Sequence, residues 1–200
     1  TVGRRFAVAP QVPAILMLII ASLLGLTLLV NPFLPLPGLA AGTTPTDGNG
    51  LNPLLQNIWM AIHPPILFVA YALAAVPFAF ACSALLRREY DRWLVEAQPW
   101  ALGAWTFLGL ALLLGGYWAY ETQGWGGYWG WDPVENSALV PWLLLTALLH
   151  SMHIQRTHQG LRRTTLGLAL FSYLAVLYAT FLARGGALAN FSVHSFVLQG

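Results

Sequence analysis

Trp125-Gly-Gly-Tyr-Trp-Gly-Trp-Asp-Pro-Val-Glu-Asn-Ser-Ala-Leu-Val-Pro-Trp142 stands between two long apolar runs and crowds aromatics, glycines and two carboxylates together. The glycines, Gly126 and Gly127 among them, let backbone approach a flat ligand closely, while Trp125, Tyr128, Trp129 and Trp131 supply ring faces to lie against it. The second half reads as a helix start, with Asp132 as N-cap, Pro133 at the first helical position and Glu135 where a capping box needs it. Two accounts stand side by side: a floor for a large planar apolar cofactor, or an aromatic belt at a membrane surface followed by an ordinary helix cap. Five tryptophans between Trp118 and Trp142, with glycines interleaved, weigh toward the floor.

The surroundings of the stretch set the fold class. Of 200 residues, 58% are hydrophobic and 8% charged, and mean hydropathy is +0.64, whereas soluble domains carry about 25% charged residues. An all-α, polytopic membrane bundle is predicted. The single cysteine, Cys82, sits in an apolar run, so neither a disulfide nor a CxxC redox motif is available. A net charge of +2 without any lysine gives no footing for nucleic acid.

Five apolar runs are long enough to cross a bilayer core of about 30 Å at 1.5 Å per residue. They are placed at 13–33, 65–86, 99–118, 134–153 and 164–183, in one membrane domain over 1–200, with 119–142 as the aromatic binding segment. The run from Val12 to Phe33 is long and lacks a clean cleavage site, so it reads as a retained span. Alternating connections gather Arg4, Arg5, Arg87, Arg88, Arg92, Arg156, Arg162 and Arg163 on one side and leave Arg184 on the other. By the positive-inside rule the arginine-rich side is cytoplasmic. The aromatic segment, the Pro35–Asn57 loop and the C-terminal tail then face outward, toward the periplasm of a bacterium. Pro141 falls inside the fourth span, where it cannot bond the carbonyl of Ser137 and should kink the helix.

Topology sorts the histidines. His63, before Pro64-Pro65, is expected at the outer lip of the second span, with helix beginning after it. His194 lies in the outward tail. Each is either a plain interfacial polar residue or, given the aromatic floor between them, an axial ligand to one haem iron, which takes ligands from both faces. His150 lies about 26 Å down the fourth helix, where an ionisable group needs a partner; it either bonds a neighbouring helix or serves a function. His153 is read as a helix-bonding or snorkelling residue, and His158 as part of the inner loop. Asp132, Glu121 and Glu135 are either solvated caps or charges that tune the pocket.

The residues also resemble a known family. W-G-G-Y-W-G-W-D-P-V-E-N is similar to the tryptophan-rich (WWD) signature of the haem-handling proteins of cytochrome c maturation. The P-V-E-N and P-W-L continuation resembles the CcmF branch more than CcmC or CcsA. L-N-P-L-L-Q and M-A-I-H-P-P between Leu51 and Pro65, L-L-H-S at Leu148–Ser151, and R-G-G with S-V-H-S-F at Arg184–Phe196 extend the likeness over most of the chain from Asn31 onward. The resemblance implies a haem lyase of the bacterial inner membrane, with its active site on the periplasmic face. Such a lyase receives haem b from a periplasmic chaperone of the CcmE type and joins it by thioethers to the CxxCH cysteines of apocytochrome c. A CcmH-type thiol-handling protein, quinol and membrane lipid are its other implied partners.

By the same resemblance His63 and His194 are the ligands and acting residues for the haem in transfer. Trp118, Trp125, Gly126, Gly127, Tyr128, Trp129, Trp131, Asp132, Pro133, Glu135, Asn136, Trp142 and Arg184 would hold it. His150 would ligate a second, resident b-type haem within the bilayer. Members of this branch are much longer and take that haem's other ligand from a downstream histidine. Here only His153 is near, three residues along the same helix, so the chain, which opens at Thr1, reads as a portion of a longer protein. Rival readings are a non-catalytic haem carrier or exporter, or a b-haem electron-transfer subunit.

Overall fold

The computed structural model describes residues 9–30, 38, 42, 47, 53–158, 160–186, 188 and 192. Five helices carry the chain: α1 (Gln11–Val30), α2 (Ile58–Arg87), α3 (Trp93–Thr122), α4 (Pro133–His158) and α5 (Arg162–Arg184), with a 3-10 turn at Pro53–Leu55 before α2. All five are long and apolar enough to cross a membrane, and among the described residues there is no strand. α4 remains one helix through the buried Pro141.

The second helix starts earlier than its proline pair suggests. Asn57 caps it, its side chain accepting from Trp59 N at 2.8 Å, and its amide donates to Glu121 at 2.9 Å. Pro64 and Pro65 are therefore accommodated inside α2 rather than at its onset, and His63 sits on the helix instead of preceding it. The local penalty of two missing N–H donors is outweighed by a strong cap and by packing on α3.

That packing is built from small residues. Ala70, Ala74, Ala81 and Ala84 of α2 and Ala97, Ala101, Ala104 and Ala111 of α3 are buried, allowing the close helix approach that membrane interfaces favour. α5 buries Thr165, Ala169, Ser172, Val176 and Ala179, a stripe at helical spacing, and Thr165 shares a 2.7 Å hydrogen bond with Ser151 of α4.

At the arginine-rich end the α2–α3 connection is tied to α4 and α5. Arg162 donates twice to the Asp91 carboxylate, at 2.9 and 2.6 Å, and Gln155 donates to Asp91 and to Tyr90 O. The Gln155 hydrogen bond first, then Arg162, hold the Asp91 carboxyl below its usual range. This tie fixes the antiparallel order, so the opposite end gathers the 3-10 turn, the end of α3, the aromatic segment and the start of α4.

Candidate functional site

At this opposite end a short side-chain network shapes the aromatic segment. Asp132 accepts from Val134 N at 2.7 Å and Glu135 N at 3.4 Å, while Glu135 reaches back to Asp132 N at 3.4 Å and to Gly130 N at 3.0 Å. This is the reciprocal capping box expected of these residues, with Pro133 opening α4. Asn136, one residue further, clamps two tryptophans: its Oδ1 accepts from Trp129 Nε1 at 3.3 Å and its Nδ2 donates to Trp131 O at 3.1 Å. Trp131 is held at φ 56°, the left-handed region that a bulky residue rarely adopts.

The rings do not form one flat floor. Trp125 donates to Gly127 O at 2.9 Å, and its ring lies against Gly130, where a Cβ would come within 2.8 Å of it. Trp131 is 74% exposed. Tyr128 stacks on Tyr120 with centroids 4.5 Å apart. Trp129 alone turns inward, half-buried, because Asn136 takes its indole N–H. Trp118 is buried behind the site, donating to Leu54 O at 3.2 Å and stacking on His63 at 5.9 Å. Of the expected contacts, Gly126 is exposed and Arg184 ends α5.

Beneath Trp129 two cavities open. The larger, about 660 Å³, lies between α3 and α4 and is lined by Trp105, Gly109, Leu112, Gly116, Leu139 and Trp142, with Tyr128 and Trp129 above. Its size is in the range of small-molecule and cofactor sites. The smaller, about 80 Å³, is bordered by His63, Gly115, Glu135 and Ala138. Leu112, Gly116 and Trp129 border both, so these three residues stand between the histidine and the large cavity. Glycine is required where the walls meet. A Cβ on Gly116 would stand 2.8 Å from Tyr128 O, and one on Gly115 3.3 Å from His63 Nδ1.

Sequence reasoning named Trp142 but missed its partners in the cavity's lower wall, Trp105 and Thr146. Trp105 and Trp142 stack with centroids 5.6 Å apart, Trp105 Nε1 donates to Thr146 Oγ1 at 2.8 Å, and Trp142 Nε1 donates to Trp105 O at 3.2 Å. The available signal was the spacing of Trp105, Gly109, Leu112 and Gly116, which share one face of a helix. One turn below Thr146 stands His150, whose Nδ1 lies 2.8 Å from Thr146 O. A carbonyl only accepts, so Nδ1 is the donor, and in the neutral imidazole that tautomer leaves the lone pair on Nε2. His150 and His153 are both exposed on α4.

His194 lies outside the described residues. Ser192, two residues before it in sequence, is buried and donates to Asp132 Oδ1 at 2.8 Å, which ties that residue to the cap of α4. Among the described residues no three His, Cys, Asp or Glu gather as a metal cluster.

Residues 5–187 match the cytochrome C assembly protein family. The chain belongs to that family. It is 45% identical over 175 residues to the cytochrome c-type biogenesis protein CcmF of Pseudomonas aeruginosa, covering 87% of this chain and 26% of the relative. It is 43% identical to the cytochrome c-type biogenesis protein CycK of Bradyrhizobium diazoefficiens, over 88% of this chain and 26% of that protein. A solved structure named cytochrome c heme lyase CcmF superposes with a TM-score of 0.70 at 32% identity, covering 93% of this chain and 29% of that one. This member of the cytochrome c assembly family thus spans about a quarter of the length of the curated relatives it matches, and the resemblance read from the tryptophan-rich motif holds.

Proposed function

We propose that this chain is the substrate-haem module of a cytochrome c haem lyase, and that the haem in transfer occupies the α3/α4 cavity beneath Trp129 with His63 at its edge. The carrying observation is the cavity of about 660 Å³, which shares Leu112, Gly116 and Trp129 with the space His63 borders. Of these three Trp129 has the largest movable side chain, and turning its ring would join the two spaces and expose the imidazole to a planar ligand. Tyr128, Trp129, Trp105 and Trp142 then supply aromatic faces, while the exposed Trp125 and Trp131 meet the incoming partner.

The reaction itself adds a thiol across a vinyl group: one S–C bond forms, the vinyl double bond becomes single, and the thiol hydrogen ends on the neighbouring carbon. The protein's task is to hold haem b with its vinyl edge toward the CxxCH thiols of apocytochrome c. His63 binds the iron from the α2 side, and His194, two residues beyond the Ser192 that donates to Asp132, is the proposed ligand on the other face. The aromatic end faces the periplasm of a bacterial inner membrane, since eight of nine arginines belong to the other side. Haem arrives there from a CcmE-type chaperone and the apocytochrome from a CcmH-type thiol-handling protein.

His150 would hold a resident b-type haem. Its Nδ1 is engaged by Thr146 O, and the side chain is exposed on α4. When bound, such a haem would supply electrons, ultimately from quinol, to the iron of the substrate. His150's share is to present Nε2 in a fixed tautomer.

The test is to express the full-length protein with its maturation partners and an apocytochrome bearing CxxCH, then stain for covalent haem. Covalent haem that disappears in Trp129→Ala at equal membrane levels supports the lyase reading. Haem bound to the protein but never transferred supports a carrier or an electron-transfer subunit.

A further inference from the structure

At the arginine-rich end, remote from the aromatic site, a cavity of about 320 Å³ lies between the start of α1, the end of α2 and the first turn of α3. Its floor is apolar, built by the buried Phe80, Ala84 and Trp93, and its rim carries the exposed Val95 with Arg87, Glu89, Arg92 and Glu96. Arg87 and Glu89 satisfy each other at 3.1 Å. Arg92 and Glu96, one helical turn apart, make no ion pair or side-chain hydrogen bond among the described residues. Ser83, 3% exposed, also lines the cavity and makes no side-chain hydrogen bond among them. The rim therefore offers one unmatched cation and one unmatched anion about a helical turn apart, above a greasy floor.

We propose that this cavity is a binding site for a zwitterionic phospholipid with a primary amine headgroup. Its phosphate is held by Arg92 and the Ser83 hydroxyl, its ammonium by Glu96, and the start of an acyl chain lies on Phe80 and Trp93. The position suits this ligand, because the ends of α2 and α3 are where the headgroups of the arginine-side leaflet lie. Basic pockets between spans commonly take anionic headgroups; here the two carboxylates cancel the arginines, and an anionic lipid such as phosphatidylglycerol would leave Glu96 facing no cation. A quaternary amine, as in phosphatidylcholine, supplies charge but no hydrogen-bond donor to Glu96.

The experiment is native mass spectrometry of the full-length protein released from nanodiscs of equal phosphatidylethanolamine and phosphatidylglycerol. The wild type is expected to retain phosphatidylethanolamine about tenfold over phosphatidylglycerol, the scale of one charge-assisted hydrogen bond. Glu96→Gln should erase that preference while leaving total retained lipid unchanged, and Arg92→Gln should lower retention of both lipids. Arg92 is exposed and Glu96 half-buried, and an unchanged circular dichroism spectrum shows that the variants fold. Equal retention of the two lipids by the wild type, or a preference that survives Glu96→Gln, overturns the proposal.

Discussion

Asn136→Leu is the sharpest perturbation of the aromatic segment, because one side chain holds two tryptophans in different orientations. Leucine matches asparagine in size but cannot accept from Trp129 Nε1 or donate to Trp131 O, bonds of 3.3 and 3.1 Å in the structure. A half-buried indole N–H left without its acceptor costs about 1–2 kcal/mol, and the more exposed Trp131 carbonyl adds about 0.5 kcal/mol. Trp131, held at φ 56°, then has no side chain opposing its relaxation out of a conformation that costs about 1–2 kcal/mol. A loss near 2 kcal/mol shifts the equilibrium between the binding-competent and the relaxed segment about 30-fold, and apparent haem affinity falls by up to about that factor. Haem titration of the full-length protein, followed by absorption, measures it. Asn136→Asp retains an acceptor for Trp129 and should lose less. An affinity within twofold of wild type for Asn136→Leu refutes the claim that this clamp shapes the site.

Gly116→Ala should abolish haem retention while α2 and α3 still insert, since its Cβ would stand 2.8 Å from Tyr128 O; Gly167→Ala, whose Cβ meets nothing within 4 Å, is the matched control, and equal behaviour of the two would remove the argument for close packing there. Reporter fusions after Gly127 should give a periplasmic signal and fusions near Arg88 or Gln159 a cytoplasmic one; a cytoplasmic signal at Gly127 reverses the site's sidedness. The Asp91 carboxyl is held low in the folded chain, so its contribution is full above the ordinary carboxylate range near about 3.9 and is lost as pH falls through its lower folded value. Unfolding of the wild type in detergent should therefore become easier in strong acid relative to neutral pH by more than in Asp91→Asn, and identical acid dependence of the two would show that the tie to Arg162 and Gln155 is not stabilising.

Local rules read well where local chemistry decides. The Asp132–Glu135 capping box and the five helices are legible because caps and long apolar runs act over a few residues. His63 was misplaced for the converse reason. Two prolines argue locally for a helix start, but the Asn57 cap and the small-residue contact with α3 carry the helix through them. The aromatic segment was legible in composition but not in orientation. Its tryptophans look alike in sequence, and only the partner of each indole N–H, Gly127 O for Trp125 and Asn136 for Trp129, sends one outward and the other in. Trp105 and Thr146 escaped notice because a tryptophan or threonine within an apolar run looks like ordinary span, and their pairing joins residues 41 apart.

The central claim, that the haem in transfer lies beneath Trp129 with its iron on His63, is tested most directly by the absorption spectrum of the haem-loaded full-length protein with and without His63→Gly. The account predicts that the variant loses the low-spin signature of the substrate haem and that added imidazole restores it, since glycine leaves a space of imidazole size beside Gly115. It also predicts that His63→Gly with Trp129→Ala is not rescued, because the ring wall is gone as well. A low-spin spectrum unchanged in His63→Gly would place the iron elsewhere and contradict the account.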